Sequence, residues 1–157
     1  MPFPIYPSRA DILQSLNLNL NYLIVSENTS FTLFASQLSR QIIFHQYNNS
    51  DYSEWRFESF EHESVVYYRI KNSITGMYLV IDPLSGAGVG YRLTLTMEKS
   101  VVHSQRASWQ IVRNRNGSFS FINAFESLSI TYSYEVKTRL VLRPFANLPT
   151  QHYYFYD

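Results

Sequence analysis

An aromatic–any–apolar triplet closes three successive stretches of this chain: Trp55-Arg56-Phe57, Trp109-Gln110-Ile111 and Tyr153-Tyr154-Phe155. Ahead of each lie two short apolar segments in the same order. They are Tyr22-Leu23-Ile24-Val25 then Phe31-Thr32-Leu33-Phe34, Arg69-Ile70-Lys71-Asn72 then Tyr78-Leu79-Val80-Ile81, and Ser120-Phe121-Ile122-Asn123 then Leu128-Ser129-Ile130-Thr131. A third segment follows in each copy: Ile42-Ile43-Phe44, Leu93-Thr94-Leu95 and Leu140-Val141-Leu142. Ordered self-similarity confines a chain to architectures made from one supersecondary unit, because each unit buries its apolar face only against its neighbours.

The unit is built of strands. Leu16, Leu18, Leu20, Tyr22 and Ile24 alternate with Asn17, Asn19 and Asn21, the period of two expected of a half-buried strand. Eleven further runs rich in β-branched and aromatic residues are expected near 30–35, 41–46, 54–60, 65–71, 77–82, 91–97, 108–114, 118–123, 127–132, 139–143 and 152–156. Asn116-Gly117 marks a hairpin turn, and Gly86-Ala87-Gly88-Val89-Gly90 a flexible connection without the helix and lysine of a phosphate cradle. Ser8 is placed to cap a short helical turn carrying Ile12 and Leu13, and no long helical periodicity occurs.

The chain has no cysteine, so neither a disulfide framework nor a thiolate metal site is open to it. Thirteen Lys plus Arg against 12 Asp plus Glu argue against a nucleic-acid partner. No apolar run is long enough to span a bilayer as a helix, and the proline-bearing start (Pro2, Pro4, Pro7) does not read as a secretory signal. The expected location is therefore the cytoplasm, or release without a classical signal. Asn28-Thr29-Ser30, Asn48-Asn49-Ser50 and Asn116-Gly117-Ser118 match the glycosylation pattern but, with no export signal, read as polar surface turns.

With three copies of four strands, the chain resembles the β-trefoil and, within it, the ricin-B-type lectin domains whose repeats end in Gln-x-Trp. Here that position reads Ser53-Glu54-Trp55, Ala107-Ser108-Trp109 and Gln151-His152-Tyr153. The resemblance implies an all-β fold, a β-trefoil of twelve strands in three pseudo-symmetric repeats at about 16–64, 65–117 and 118–157, preceded by an arm at 1–15. It implies a carbohydrate-binding lectin, with a defence protein or the receptor-binding component of a toxin as the biological setting. Glycans or glycoproteins are then the partners, and no cofactor is expected.

Lectins of this kind hold sugar with an acidic residue after the second strand and an aromatic platform near the third. Carried over, the acid of the middle copy is Asp82; Thr96 stands at the aromatic position, with Tyr91 as a substitute from the adjoining loop. The corresponding residues are Ala35 and His45 in the first copy, and Thr131 and Arg143 in the third, beside Gln151. Asp82 also precedes Pro83 and suits the start of a turn. Trp55, Trp109 and Tyr153 read as core aromatics, whereas Tyr47, Tyr52, Tyr132 and Tyr134 fall in or beside expected loops, where tyrosine offers a stiff contact surface.

Two other functions fit. The stretch Trp109-Gln110-Ile111-Val112-Arg113-Asn114-Arg115-Asn116-Gly117 resembles the mycocypin inhibitors, and a loop at 82–90 could enter a protease cleft, as in mycocypin or Kunitz trefoils. A protein-interaction module using residues 1–7 as a docking strap is the other. Catalysis is not expected. His45, His62, His103 and His152 are far apart in sequence, no Gly-x-Ser-x-Gly elbow occurs, and Glu58, Glu61 and Glu63 suggest no acid–base pair.

Overall fold

Residues 55–72 alternate between buried and exposed side chains over two runs of eight, and fold as the longest hairpin of the molecule, β4 (Trp55–His62) with β5 (Val65–Asn72). Both turn residues, Glu63 and Ser64, have positive φ (51° and 66°), the primed geometry whose twist matches that of the flanking strands. The computed structural model describes residues 16–27, 29–36, 41–86 and 90–157. The proline-bearing arm and the helical turn expected at Ser8 lie outside the described residues.

All twelve expected strands are present. The others are β1 (Leu23–Ser26), β2 (Thr32–Ala35), β3 (Ile42–His45), β6 (Tyr78–Ile81), β7 (Leu93–Thr96), β8 (Trp109–Arg113), β9 (Phe119–Asn123), β10 (Leu128–Tyr132), β11 (Leu140–Pro144) and β12 (Tyr153–Tyr156). The antiparallel order β1-β12-β9-β8-β5-β4 is closed into a ring by the Tyr22–Trp55 bridge, with N–H to carbonyl distances of 2.7 and 2.9 Å. Three hairpins hang from this ring at equivalent points: β2–β3 from β1, β6–β7 from β5 and β10–β11 from β9. Strand, hairpin, strand is thus written three times.

Each copy ties its hairpin to the ring by one hydrogen bond. Trp55 Nε1 donates to the Leu33 carbonyl at 3.0 Å, Trp109 Nε1 to the Leu79 carbonyl at 3.1 Å, and Tyr153 Oη to the Ile130 carbonyl at 2.8 Å. All three rings are fully buried, the core role expected of them. Between them lies a cluster of phenyl rings: Phe119 stacks on Phe155 at 4.6 Å, and Phe57 and Phe121 pack on Phe155 at 5.2 and 5.6 Å. Packing of this kind replaces the absent disulfides as the source of stability.

Two expectations need correction. Residues 16–22 alternate in sequence but do not form a strand; β1 begins at Leu23. Asn17 competes for the backbone, its side chain accepting from Asn19 N at 2.9 Å and its carbonyl from Leu20 N at 3.2 Å, and Leu18 and Leu20 stay exposed. Tyr132 is not a surface residue, being buried against Phe31, Phe44 and Tyr134. In agreement with the absence of long helical periodicity, the other elements are short: a helix α1 (Lys99–Val102) and 3-10 turns at Asp51–Ser53, Gln105–Ala107 and Pro149–Gln151 precede the closing strands.

Two outcomes follow. Replacing the strained turn by Asn-Gly (Glu63→Asn with Ser64→Gly) should raise the urea-unfolding free energy by about 1 kcal/mol, since Gly and Asn accept positive φ readily; a fall would contradict the turn geometry. Tyr153→Phe keeps the ring but removes the donor to Ile130, and should cost about 1–2 kcal/mol in the same assay.

Candidate functional site

The middle hairpin opens into a turn because Pro83 cannot donate to the ladder beyond Asp82. Asp82 N still reaches the Arg92 carbonyl at 2.7 Å. Its Oδ1 accepts from Leu84 N at 2.9 Å, an Asx turn that holds the carboxylate in place. Buried Ser85 staples the base of the loop: its hydroxyl donates to the Asp82 carbonyl at 2.7 Å and accepts from Arg92 N at 3.1 Å. Asp82 is therefore a turn former and a rigidly presented acid at once. Its Oδ2 faces the exposed Arg92 guanidinium at 3.9 Å, too far for a direct hydrogen bond and, at the surface, worth less than about 1 kcal/mol.

Arg106 of the same copy and Phe125 and Glu126 of the third copy complete this corner. Arg106 Nη1 donates to the Asp82 carbonyl at 2.8 Å, and its guanidinium lies 4.0 Å above the ring of Phe125. Tyr91 meets Phe125 edge to face at 5.7 Å and donates its hydroxyl to Glu126 Oε2 at 2.5 Å. That bond to a carboxylate raises the Tyr91 pKa above the usual phenol value. The corner therefore gathers a carboxylate, two guanidinium groups and a partly exposed aromatic pair from three segments of the chain.

Asp82 and Tyr91 flank the same loop, Asp82 lying opposite Arg92, whereas Thr96 and Gln151 lie elsewhere. Asp82 bonds opposite Arg92 and Thr96 lies opposite Tyr78, so the two are separated by four strand positions, about 13 Å. Thr96 belongs with a different row, in which Tyr78 Oη donates to Glu58 Oε1 at 2.7 Å and Lys71 Nζ lies 3.8 Å from Glu58 Oε2. Gln151 is wholly buried: its oxygen accepts from Ala146 N and Leu148 N, and its amide donates to Thr131 Oγ1 and the Pro144 carbonyl. It holds the third-copy loop and has no surface for a ligand.

The other copies lack the acid. Ala35 is buried in the first, where His45 packs on Phe34 at 5.9 Å; in the third Thr131 is buried and Arg143 faces Glu135 at 3.9 Å. Of the tyrosines expected at the surface, Tyr134 is exposed to 67 % and Tyr47 to 38 %, while Tyr52 is half-buried. Among the described residues no cluster of three or more His, Cys, Asp or Glu could hold a metal ion, and no helix is long and apolar enough to cross a membrane.

No protein-family model and no curated protein matches the sequence. Solved structures do match. The crystal structure of the BEL β-trefoil in its apo form superposes with a TM-score of 0.74 at 9 % identity, covering 99 % of this chain and 99 % of its own. The designed three-fold symmetric protein ThreeFoil gives 0.74 at 14 %, covering 87 % and 98 %. The fold is a β-trefoil. The ricin B-like lectin of Macrolepiota procera, solved in complex with lactose, is another match at a TM-score of 0.70 and 16 % identity, covering 90 % of this chain and 97 % of the lectin.

Arg106, Phe125 and Glu126 were missed by the sequence reading. Arg106 stands directly before the Ala107-Ser108-Trp109 triplet, a position the repeat register could have flagged. Nothing in the sequence, however, places the β9–β10 turn of the third copy against the hairpin of the second; the trefoil's closure does that.

The Glu58 row makes a pH prediction. Burial, then the hydrogen bond to Glu58 and its charge, push the Tyr78 pKa up to about 12, against 10.0 unperturbed. Because the folded pKa is raised, the associated stability is complete below pH 10 and declines as pH rises from 10 toward 12. Alkaline spectrophotometric titration should show Tyr78 ionising above the bulk tyrosines, and Tyr78→Phe should lower the late-titrating amplitude by one tyrosine while leaving that of the fully buried Tyr153.

Proposed function

We propose that this trefoil binds carbohydrate at the Asp82, Tyr91 and Arg92 corner of its middle copy. The observation carrying the reading is a carboxylate fixed by its own turn, one-quarter exposed and facing Arg92, with the partly exposed Tyr91 adjacent to Arg92 on the same hairpin. A sugar asks for this pair, a charged acceptor for its hydroxyls and an aromatic surface for its C–H face. The likeness in fold to a lactose-binding lectin supports the choice of ligand class. Tyr91 takes the aromatic part because Thr96 is at the other end of the hairpin, and Arg92 supplies a donor.

The test is a glycan array probed with wild type and Asp82→Asn. Asparagine keeps the acceptor for Leu84 N, so circular dichroism and melting should be unchanged. Loss of a charge-assisted hydrogen bond should weaken binding by tenfold or more, about 1.5–3 kcal/mol. Wild type binding no glycan, or Asp82→Asn binding as well as wild type, would end the proposal.

One observation favours protease inhibition as a second reading. Leu84 is 89 % exposed in the turn held by Asp82 and Ser85, an apolar side chain of the type a protease cleft accepts. Leu84→Glu would then abolish inhibition while leaving glycan binding intact.

A further inference from the structure

The long β4–β5 hairpin does more than build the ring. Its outer face carries the cross-strand pair Phe60 and Tyr67, stacked at 5.8 Å, and Arg69 lies 3.9 Å over the Phe60 ring. Facing it is the segment that runs from α1 to β8. Arg69 ties the two together, its Nε donating to the Val102 carbonyl at 3.1 Å and its Nη2 contacting His103 Nδ1 at 3.2 Å. A cavity of about 140 Å³ lies between them, walled by Phe60 and Tyr67 and edged by His103, Ser104, Ser108 and Ala124.

The polar edge has a defined hydrogen-bond character. A guanidinium can only donate, so His103 Nδ1 is the acceptor, and in the neutral ring Nε2 carries the proton. Ser104 Oγ donates to the Val101 carbonyl at 2.6 Å and Ser108 Oγ to the Ser104 carbonyl at 3.0 Å, so both hydroxyls have committed their protons and keep acceptor lone pairs. The lining contains no carboxylate and no lysine or arginine. With the His62 imidazole and the Gln105 amide also at the rim, an aromatic wall beside several hydrogen-bond donors and acceptors suits a ring with one C–H face and several hydroxyls.

We infer that this cavity is a second pyranose site, taking one neutral sugar ring against Phe60 and Tyr67. It lies apart from the Asp82 corner and stands on its own lining, sharing with the proposed function only the class of ligand. The same short segment serves both places: Arg106 reaches Asp82, while His103, Ser104 and Ser108 border the cavity. A glycan could therefore be held on either side of it.

The experiment is an amide-resolved NMR titration of the full protein with the methyl glycosides of galactose, mannose and N-acetylglucosamine, with phenol as an aromatic control. At least one glycoside should shift the amides of Phe60, Tyr67, His103, Ser104 and Ala124 saturably. These shifts should persist in Asp82→Asn, which reports separately on the corner through Leu84, Tyr91 and Arg92. They should vanish in Ala124→Phe, which fills the cavity, and the midpoint should rise about tenfold in His103→Ala, an exposed position whose loss leaves the fold intact. Glycosides that leave these amides unmoved, cavity shifts that survive Ala124→Phe in a folded spectrum, or a response to phenol alone would overturn the inference.

Discussion

A ring hydrogen bond repeated three times organises this molecule. In each copy the aromatic that begins the closing strand donates to a carbonyl of the second strand: Trp55 to Leu33, Trp109 to Leu79 and Tyr153 to Ile130. The bond is formed in the dry interior, where an unmade donor is costly, so each copy is committed to one placement of its hairpin against the barrel. The third copy makes it with a phenol in place of an indole. The geometry is thus kept by the bond and the ring volume together, not by the identity of one residue.

With the hairpins anchored, the molecule differentiates at their edges. The middle copy is elaborated most, because β4–β5 extends well beyond the ring and α1 with its following 3-10 turn fills the space between that hairpin and β6. This segment holds Arg106 against Asp82 and Phe125, and places His103 and Ser104 opposite Phe60 and Tyr67. Both sites argued above depend on it. The first and third copies have Ala35 and Thr131 buried where the middle copy has Asp82, and among the described residues present no comparable arrangement.

Most of the strand pattern was legible in the sequence because alternation and aromatic spacing report on burial, and burial is what the repeat conserves. The reading failed at residues 16–22, where the same alternation was present but the Asn17 side chain offered the backbone a turn instead. It failed at Tyr132 for a related reason: a residue next to a loop in sequence lies under the rings of Phe31 and Phe44 in space. Of the site residues, Asp82 and Tyr91 were gathered by their own hairpin, whose ladder brings the residues flanking its loop together. Thr96 and Gln151 were assigned by resemblance, and neither position retained the surroundings that the assignment needed.

The sequence by itself determined the number of strands, their grouping into three units and the aromatic that closes each, since these depend on local periodicity and on apolar volume. Only the tertiary structure decided which edges meet. The contact of the third-copy turn at Phe125 and Glu126 with the second-copy loop at Asp82 and Tyr91 links residues far apart in the chain, as does the cavity between Phe60 and His103. Such pairings arise from closing a ring of six strands, a long-range constraint that leaves no mark on the spacing of neighbouring residues.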